Sequence, residues 1–259
     1  MLTRLYWILS SQFGVDPRVF LRSLRGLPRY VRDLSRFRRM YSGQLNLLPC
    51  LHDWYEEGGG ASTKSEYFWQ DLLVARMIAA ANPLRHVDVG SRVDGFVAHV
   101  ASFREVEVFD LRPITASIPG VAFRQADFMN PLDELREYCD SLSCLHALEH
   151  FGLGRYHDPL DVNGFETGLA NMARLVKPGG VFYLSTPIGV SRVEFNAHRV
   201  SDPRDIVTMA GRNALALTRL MVVKPGGSVE DLPGDAAHLD RLAAERYALG
   251  IFVFRKSPD

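Results

Sequence analysis

Three acidic residues, spaced along one stretch of a 259-residue chain, carry its clearest chemical signal. Asp88 opens the run Asp88-Val-Gly90-Ser91-Arg-Val-Asp-Gly95, a strand-to-helix turn whose glycines let backbone approach a ligand at the carboxyl edge of a sheet. Asp110 closes the next apolar run, where a carboxylate can accept hydrogen bonds from both hydroxyls of a ribose. Asp127-Phe128 follow a third run, suited to an adenine amino group and one adenine face. A dinucleotide is the obvious rival, but the G-x-G-x-x-G fingerprint is absent and Asp88 would lie against a pyrophosphate. A ligand with a positive centre and an ammonium group suits these acids better, and S-adenosylmethionine has both. The plainer reading of Gly90 and Gly95 is a tight turn and nothing more.

Transfer of an activated methyl group asks the protein mainly for alignment. A hydroxyl acceptor, with its high pKa, also benefits from a general base within hydrogen-bond reach. His150 is the first candidate, with Glu149 beside it to orient or assist, and His198 is the second. Either can instead be a histidine that stitches a loop in place. Arg155, Tyr156, Asn196 and Arg199 fall on loops expected above the same edge, able to hold hydroxyls, a carboxylate or a diphosphate carrier, or simply solvated. Tyr67, Gln70 and Asp71 precede the first strand and either cover the cofactor or pack a helix on the sheet. His146-Ala-Leu-Glu149-His150 also matches H-x-x-E-H, but a zinc peptidase needs both histidines on one helix, and His146 belongs to the end of a strand. A divalent ion on His150, His157, Asp158 and Asp161 is the other metal option; no pair among them has compelling ligand spacing, and no metal is expected.

These residues reach one edge only if the chain alternates strands and helices. Residues 1–45 read as helical, with Asp16-Pro17 as a cap and Phe20, Leu24, Leu27, Val31 and Leu34 at helical steps between arginines. Residues 47–61, with Pro49 and the Gly58-Gly59-Gly60 run, read as linker. A capping box, Thr63-x-x-Glu66, starts a helix that Pro83 ends. Strands follow at 86–89, 106–110, 121–123, 141–145 and 181–185, with helices at 96–103 and 166–176 and an exit through Lys177-Pro178-Gly179-Gly180. Apolar stretches at 215–223 and 248–254 add two more strands. The expectation is a Rossmann-like, doubly wound α/β fold with a mostly parallel seven-stranded sheet and an N-terminal helical extension. The division expected is 1–60, extension and linker, and 61–259, catalytic domain.

Asp140-Ser-Leu-Ser-Cys-Leu-His-Ala-Leu-Glu149-His150 resembles the fourth-strand segment of class I S-adenosylmethionine-dependent methyltransferases, and Leu175-Val-Lys-Pro-Gly-Gly-Val-Phe resembles their approach to the fifth. More narrowly, residues 86–99, 145–156 and Phe195-Asn-Ala-His-Arg199 are similar to a bacterial family, domain of unknown function 268, whose members resemble methyltransferases of surface-glycan gene clusters. The likeness spans roughly residues 64–200 and departs from the D-x-G-x-G-x-G loop at Arg92 and Asp94. It implies a cofactor set of Asp88, Gly90, Ser91, Gly95, Asp110, Leu111, Asp127, Phe128 and His146. It also implies methylation of an oxygen acceptor, a sugar hydroxyl in surface-polysaccharide or O-antigen synthesis. The rivals are a small-molecule or lipid methyltransferase and a silent scaffold of glycan enzymes.

Composition sets the outer limits. With 47% hydrophobic and 23% charged residues, disorder is excluded. Cys50, Cys139 and Cys144 make no C-x-x-C pair, which argues against a zinc ribbon or disulfide framework and for a reducing cytoplasm. No membrane span or secretory signal is expected. Lys plus Arg and Asp plus Glu both number 30, yet residues 1–40 hold nine arginines against Asp16 and Asp33, a surplus of seven. That arm is expected to lie on an anionic inner-membrane surface, to dock on an acidic partner such as a glycan enzyme or on the acidic remainder of the chain, or to stay solvated. Nucleic acid is not expected, because the rest of the chain is acidic; oligomerisation stays open.

Overall fold

The computed structural model describes residues 2–51 and 61–258, so the Gly58-Gly59-Gly60 part of the expected linker lies outside the described residues. Its contacts divide into two units, Met1–Ala61 and Ser62–Asp259. In the first, α1 (Leu2–Gln12) and α2 (Pro17–Met40) are joined by a turn. Asp16 starts α2 as read from sequence: its Oδ1 accepts from the amides of Arg18 and Val19, and Pro17 takes a position whose missing N–H is not needed. Tyr6 Oη donates to Asp16 Oδ2 at 2.7 Å and the Arg18 guanidinium lies 4.4 Å from the Tyr6 ring, which ties the two helices together.

The second unit holds α3 (Glu66–Ala81), β1 (His86–Val89), β2 (Val106–Asp110), β3 (Val121–Gln125), β4 (Cys139–Leu145), α5 (Gly164–Leu175) and β5 (Val176–Ile188). A π turn at Val93–Val97 leads into the short α4 (Ala98–Ala101). After the hairpin β6 (Arg192–Glu194) and β7 (His198–Val200) come α6 (Pro203–Arg212), β8 (Leu215–Val223), β9 (Val229–Leu232), α7 (Ala236–Ala243) and β10 (Ala248–Lys256). The main sheet has order β3-β2-β1-β4-β5-β10-β8-β9. It is parallel from β3 to β5 and antiparallel from β5 to β9.

Alternation along each strand sends neighbouring residues to opposite faces. Val106 and Val108 join Val74, Ile78 and Val100 beneath α3 and α4, whereas Phe109 joins Leu169, Met172, Ile206 and Leu242 beneath α5, α6 and α7. The result is the expected α/β fold with helices on both faces. The chain reverses direction of winding between β1 and β4, so a crevice opens at their carboxyl ends.

Four expectations need correction. The sheet has eight strands rather than seven, because β9 adds a short outer hairpin to β8. The expected helix at 96–103 is a π turn followed by a four-residue helix. Lys177-Pro178-Gly179-Gly180 is no loop before β5. The strand begins at Val176, and the four residues bulge between the pairs Cys139–Val176 and Ser141–Val181, with Gly179 at φ 75° supplying the kink. The capping box at Thr63 does not form either. Ser65 holds the cap position of α3, and Glu66 turns its carboxylate to His146 and Tyr247, where buried charge and hydroxyl offer more than a backbone amide.

Candidate active site

A pocket of about 510 Å³, counting space open to solvent, sits at the carboxyl ends of β1, β2 and β3. Gly90, Asp110, Leu111, Asp127, Phe128, His150 and Tyr156 from the sequence reading all line it, with Asp158, which that reading had grouped with His150 only as a metal option; Arg112, Met129 and Phe151 join them without having been named. Gly90 stands at φ 71° and its amide donates to the Phe109 carbonyl at 2.9 Å, the left-handed turn that ends β1. Asp127 closes the turn after β3 by accepting from Met129 N at 2.9 Å and Asn130 Nδ2 at 2.8 Å. Phe128 is buried against Phe109, ring edge to face at 5.7 Å. Asp110 meets Arg112 in a fork, Nε to Oδ1 at 3.0 Å and Nη2 to Oδ2 at 2.7 Å, and the same guanidinium lies 4.6 Å from the Tyr156 ring. Asp110 beside it holds the Arg112 guanidinium above its usual pKa.

Asp88 does not line the pocket. It is fully buried, taking Ser143 Oγ at 2.5 Å and Ser91 Oγ at 2.6 Å on one oxygen and Ser91 N at 3.1 Å on the other. Burial raises its pKa to about 6, against those three hydrogen bonds. Ser91 is buried as well and also accepts from Leu145 N, so the pair fixes the turn from below. Beneath it His86, bonded to Ser141 and Ser143, is held neutral by burial, which lowers its pKa to about 3. Gly95 serves packing: a Cβ there would stand 2.5 Å from Asp71 Oδ2 on α3. Arg92 and Asp94 pair with each other at 2.8 Å on the surface.

Beside the pocket lies a second, largely buried cluster. His146 follows β4 at φ 55°, its Nδ1 2.5 Å from Glu149 Oε1 and its Nε2 3.1 Å from Glu66 Oε1. Tyr247 donates to the same Glu66 oxygen at 2.7 Å, and Tyr67 stacks on the imidazole at 4.7 Å. Burial alone would discharge His146, but Glu149 and Glu66 outweigh it and raise the pKa to about 10. Glu149, also fully buried, is held below the usual carboxylate range, burial opposing and His146 prevailing. Its Oε2 has no hydrogen-bond partner among the described residues. Gln70 bridges Asp71 and Ser185 nearby.

His150 is built differently. Its Nδ1–H donates to the Ala197 carbonyl at 2.7 Å, which leaves Nε2 as the basic nitrogen, 3.8 Å from Glu149 Oε1. The ring meets Tyr156 edge to face at 5.6 Å. Burial lowers its pKa, partly countered by the Glu149 charge, so the imidazole is neutral at neutral pH. His198 opens β7, half-buried, and burial lowers its pKa too. Arg155 Nη1 donates to the same Ala197 carbonyl at 3.1 Å. Asn196 is exposed at the tip of the β6–β7 hairpin. Arg199 points inward: its guanidinium donates to the carbonyls of Glu149, Phe151 and Asp161, clamping the loop that carries His150. Asp158 accepts from the amides of Gly154 and Tyr156 in that loop. No group of three His, Cys, Asp or Glu side chains with metal-site geometry occurs among the described residues.

Residues 117–216 match a family model described as Caenorhabditis protein of unknown function, DUF268. No curated protein matches the sequence. Among solved structures, the chain resembles the 1,6-didemethyltoxoflavin-N1-methyltransferase of Burkholderia thailandensis, solved with bound 1,6-didemethyltoxoflavin and S-adenosylhomocysteine. That likeness has a TM-score of 0.51 at 14% identity, over 94% of this chain and 91% of that one. It also resembles the N-methyltransferase NodS of Bradyrhizobium japonicum in complex with S-adenosylhomocysteine, at TM-score 0.50 and 13% identity over 76% and 90% of the two chains. The [4+2]-cyclase SpnF matches at TM-score 0.51 and 14% identity over 73% and 82%. At these identities the likeness establishes the Rossmann-like methyltransferase fold; the chemistry has to be argued from the site.

Proposed function

We propose that this chain is an S-adenosylmethionine-dependent methyltransferase acting on an oxygen acceptor. One observation carries the reading: a glycine turn, a strand-end acid and an acid–aromatic pair line the same pocket as a neutral histidine whose basic nitrogen has no hydrogen-bond partner among the described residues. The residues fit the cofactor. Asp110 would take the ribose hydroxyls, Asp127 and Phe128 the adenine, and the Gly90 turn the close approach of the rest. Arg112 already holds both oxygens of Asp110, so binding of the nucleoside makes that guanidinium share or leave its carboxylate. Bound S-adenosylmethionine supplies a methyl group already activated on its sulfonium. His150 takes the acceptor proton at Nε2 while the Ala197 carbonyl keeps Nδ1–H in place. Glu149 lies 3.8 Å from that nitrogen and favours the imidazolium as it forms. A sugar hydroxyl in surface-polysaccharide synthesis is the acceptor class we favour, on the resemblance of residues 86–99, 145–156 and 195–199 alone.

Calorimetry with S-adenosylmethionine tests the reading. The intact protein is expected to bind it and Asp110→Ala to lose at least about tenfold in affinity, the worth of one charge-assisted hydrogen bond or more. No binding by the intact protein, with no effect of Asp110→Ala, would refute it and leave the scaffold reading.

A further inference from the structure

Helix α2 divides its surface over residues 18–36. Arginines at 18, 22, 25, 29, 32 and 36 recur at steps of three or four and share one face, while Phe20, Leu24, Leu27 and Val31 share the other. None of the helix is buried, and those four apolar side chains are between 45 and 63% exposed. The chain has material to cover an apolar flank and uses it elsewhere. The segment 45–51 runs along the side that bears Gly26 and Tyr30, so closely that a Cβ at Gly26 would collide with the Leu51 carbonyl. Within the same unit, α1 and the turn after it expose Leu5, Trp7 and Phe13.

We infer that the α1–α2 arm binds flat on a bilayer containing anionic phospholipid, its apolar stripe at the acyl boundary and its arginines on the phosphates. The partner must offer negative charge to a segment with a surplus of seven positive charges and a hydrocarbon layer to the stripe beside it, and a bilayer surface offers both. Arginine forks phosphate oxygens bidentately, and an indole such as that of Trp7 suits the depth of the headgroups. No described helix is long and apolar enough to cross a membrane, so the arm lies on the surface. A nucleic acid would satisfy the arginines but leave the stripe in water. A second copy fits less well. Like-charged arms repel, and of the other unit's acids Asp202 and Asp240 are already engaged by Arg204 and Asp231 by Arg219.

Co-sedimentation of the full chain with vesicles tests this. The chain is expected to pellet with phosphatidylcholine vesicles containing phosphatidylserine, to stay in the supernatant with phosphatidylcholine alone, and to be released by salt. Arg25→Gln with Arg36→Gln should lower the partition coefficient about 25-fold, about fivefold per arginine. Leu24→Ser with Val31→Ser should abolish pelleting while the circular dichroism of the full chain stays native. Equal recovery with both vesicle types, or undiminished binding by either double variant, overturns the inference. So does a chain that ignores vesicles and sediments as a dimer that the leucine–valine variant dissociates.

Discussion

The imidazole of His146 is enclosed by Glu66, Glu149 and the Tyr67 ring, whereas that of His150 has a backbone carbonyl on one side and the pocket on the other. Both rings are mostly buried and both feel the same Glu149 carboxylate, at 2.5 Å in one case and 3.8 Å in the other. Yet His146 is driven towards the imidazolium and His150 towards neutrality. Proximity decides it: two carboxylates in hydrogen-bond contact outweigh the burial penalty, and one at longer range does not. The difference separates a structural cation, which has no nitrogen left for a substrate, from a group fit to accept a proton.

Breaking the pocket side is expected to have the largest effect. His150→Ala should lower methyl transfer by about 10²–10⁴-fold, the worth of a general base, while cofactor affinity measured by calorimetry changes far less. If instead His198→Ala abolishes turnover and His150→Ala does not, the roles belong to the other histidine. On the His146 side, His146→Leu leaves the buried Glu149 and the partly exposed Glu66 without their counter-charge and should cost about 3–5 kcal/mol in urea unfolding. A loss below about 1 kcal/mol, the range of an exposed pair, would mean the cluster is not closed in solution. The pH dependence of stability should show the same asymmetry on a smaller scale. The raised pKa of His146 contributes stability fully below pH 6.5, and this is lost as pH rises through about 10. Glu66 and Glu149, both lowered from 4.5, contribute above that value and lose it on acidification. The urea midpoint should therefore fall on the alkaline side in the intact protein and flatten there in His146→Leu.

The parallel half of the sheet was legible because its strands are short apolar runs closed by acids and glycines. The bounds of β1 and β2 agree residue for residue with the sequence reading. Helix α6 carries the same start signal, Asp202-Pro203, as Asp16-Pro17 of α2, yet the sequence reading placed no helix there. Hairpin β6–β7 was not, since three-residue strands have no period to detect. Within the site, residue type told more than direction. Asp88 and Arg199 have the chemistry expected of ligand contacts, but both turn inward, one to buried serines and the other to three carbonyls. Glu66 and Tyr247 are 181 positions apart, and no local pattern links them or brings both to His146. Arg112 follows Asp110 by two residues, a spacing that could have suggested their pairing.

The Ala197 carbonyl lies in the turn of the β6–β7 hairpin and fixes which nitrogen of His150 carries the hydrogen. A loop of the outer surface thereby writes the protonation pattern of a residue inside the cleft. A descendant that shortens the hairpin must recruit another acceptor for Nδ1–H or accept a different tautomer. Grafting the histidine into a related fold without its hairpin would transplant the ring but not its polarity.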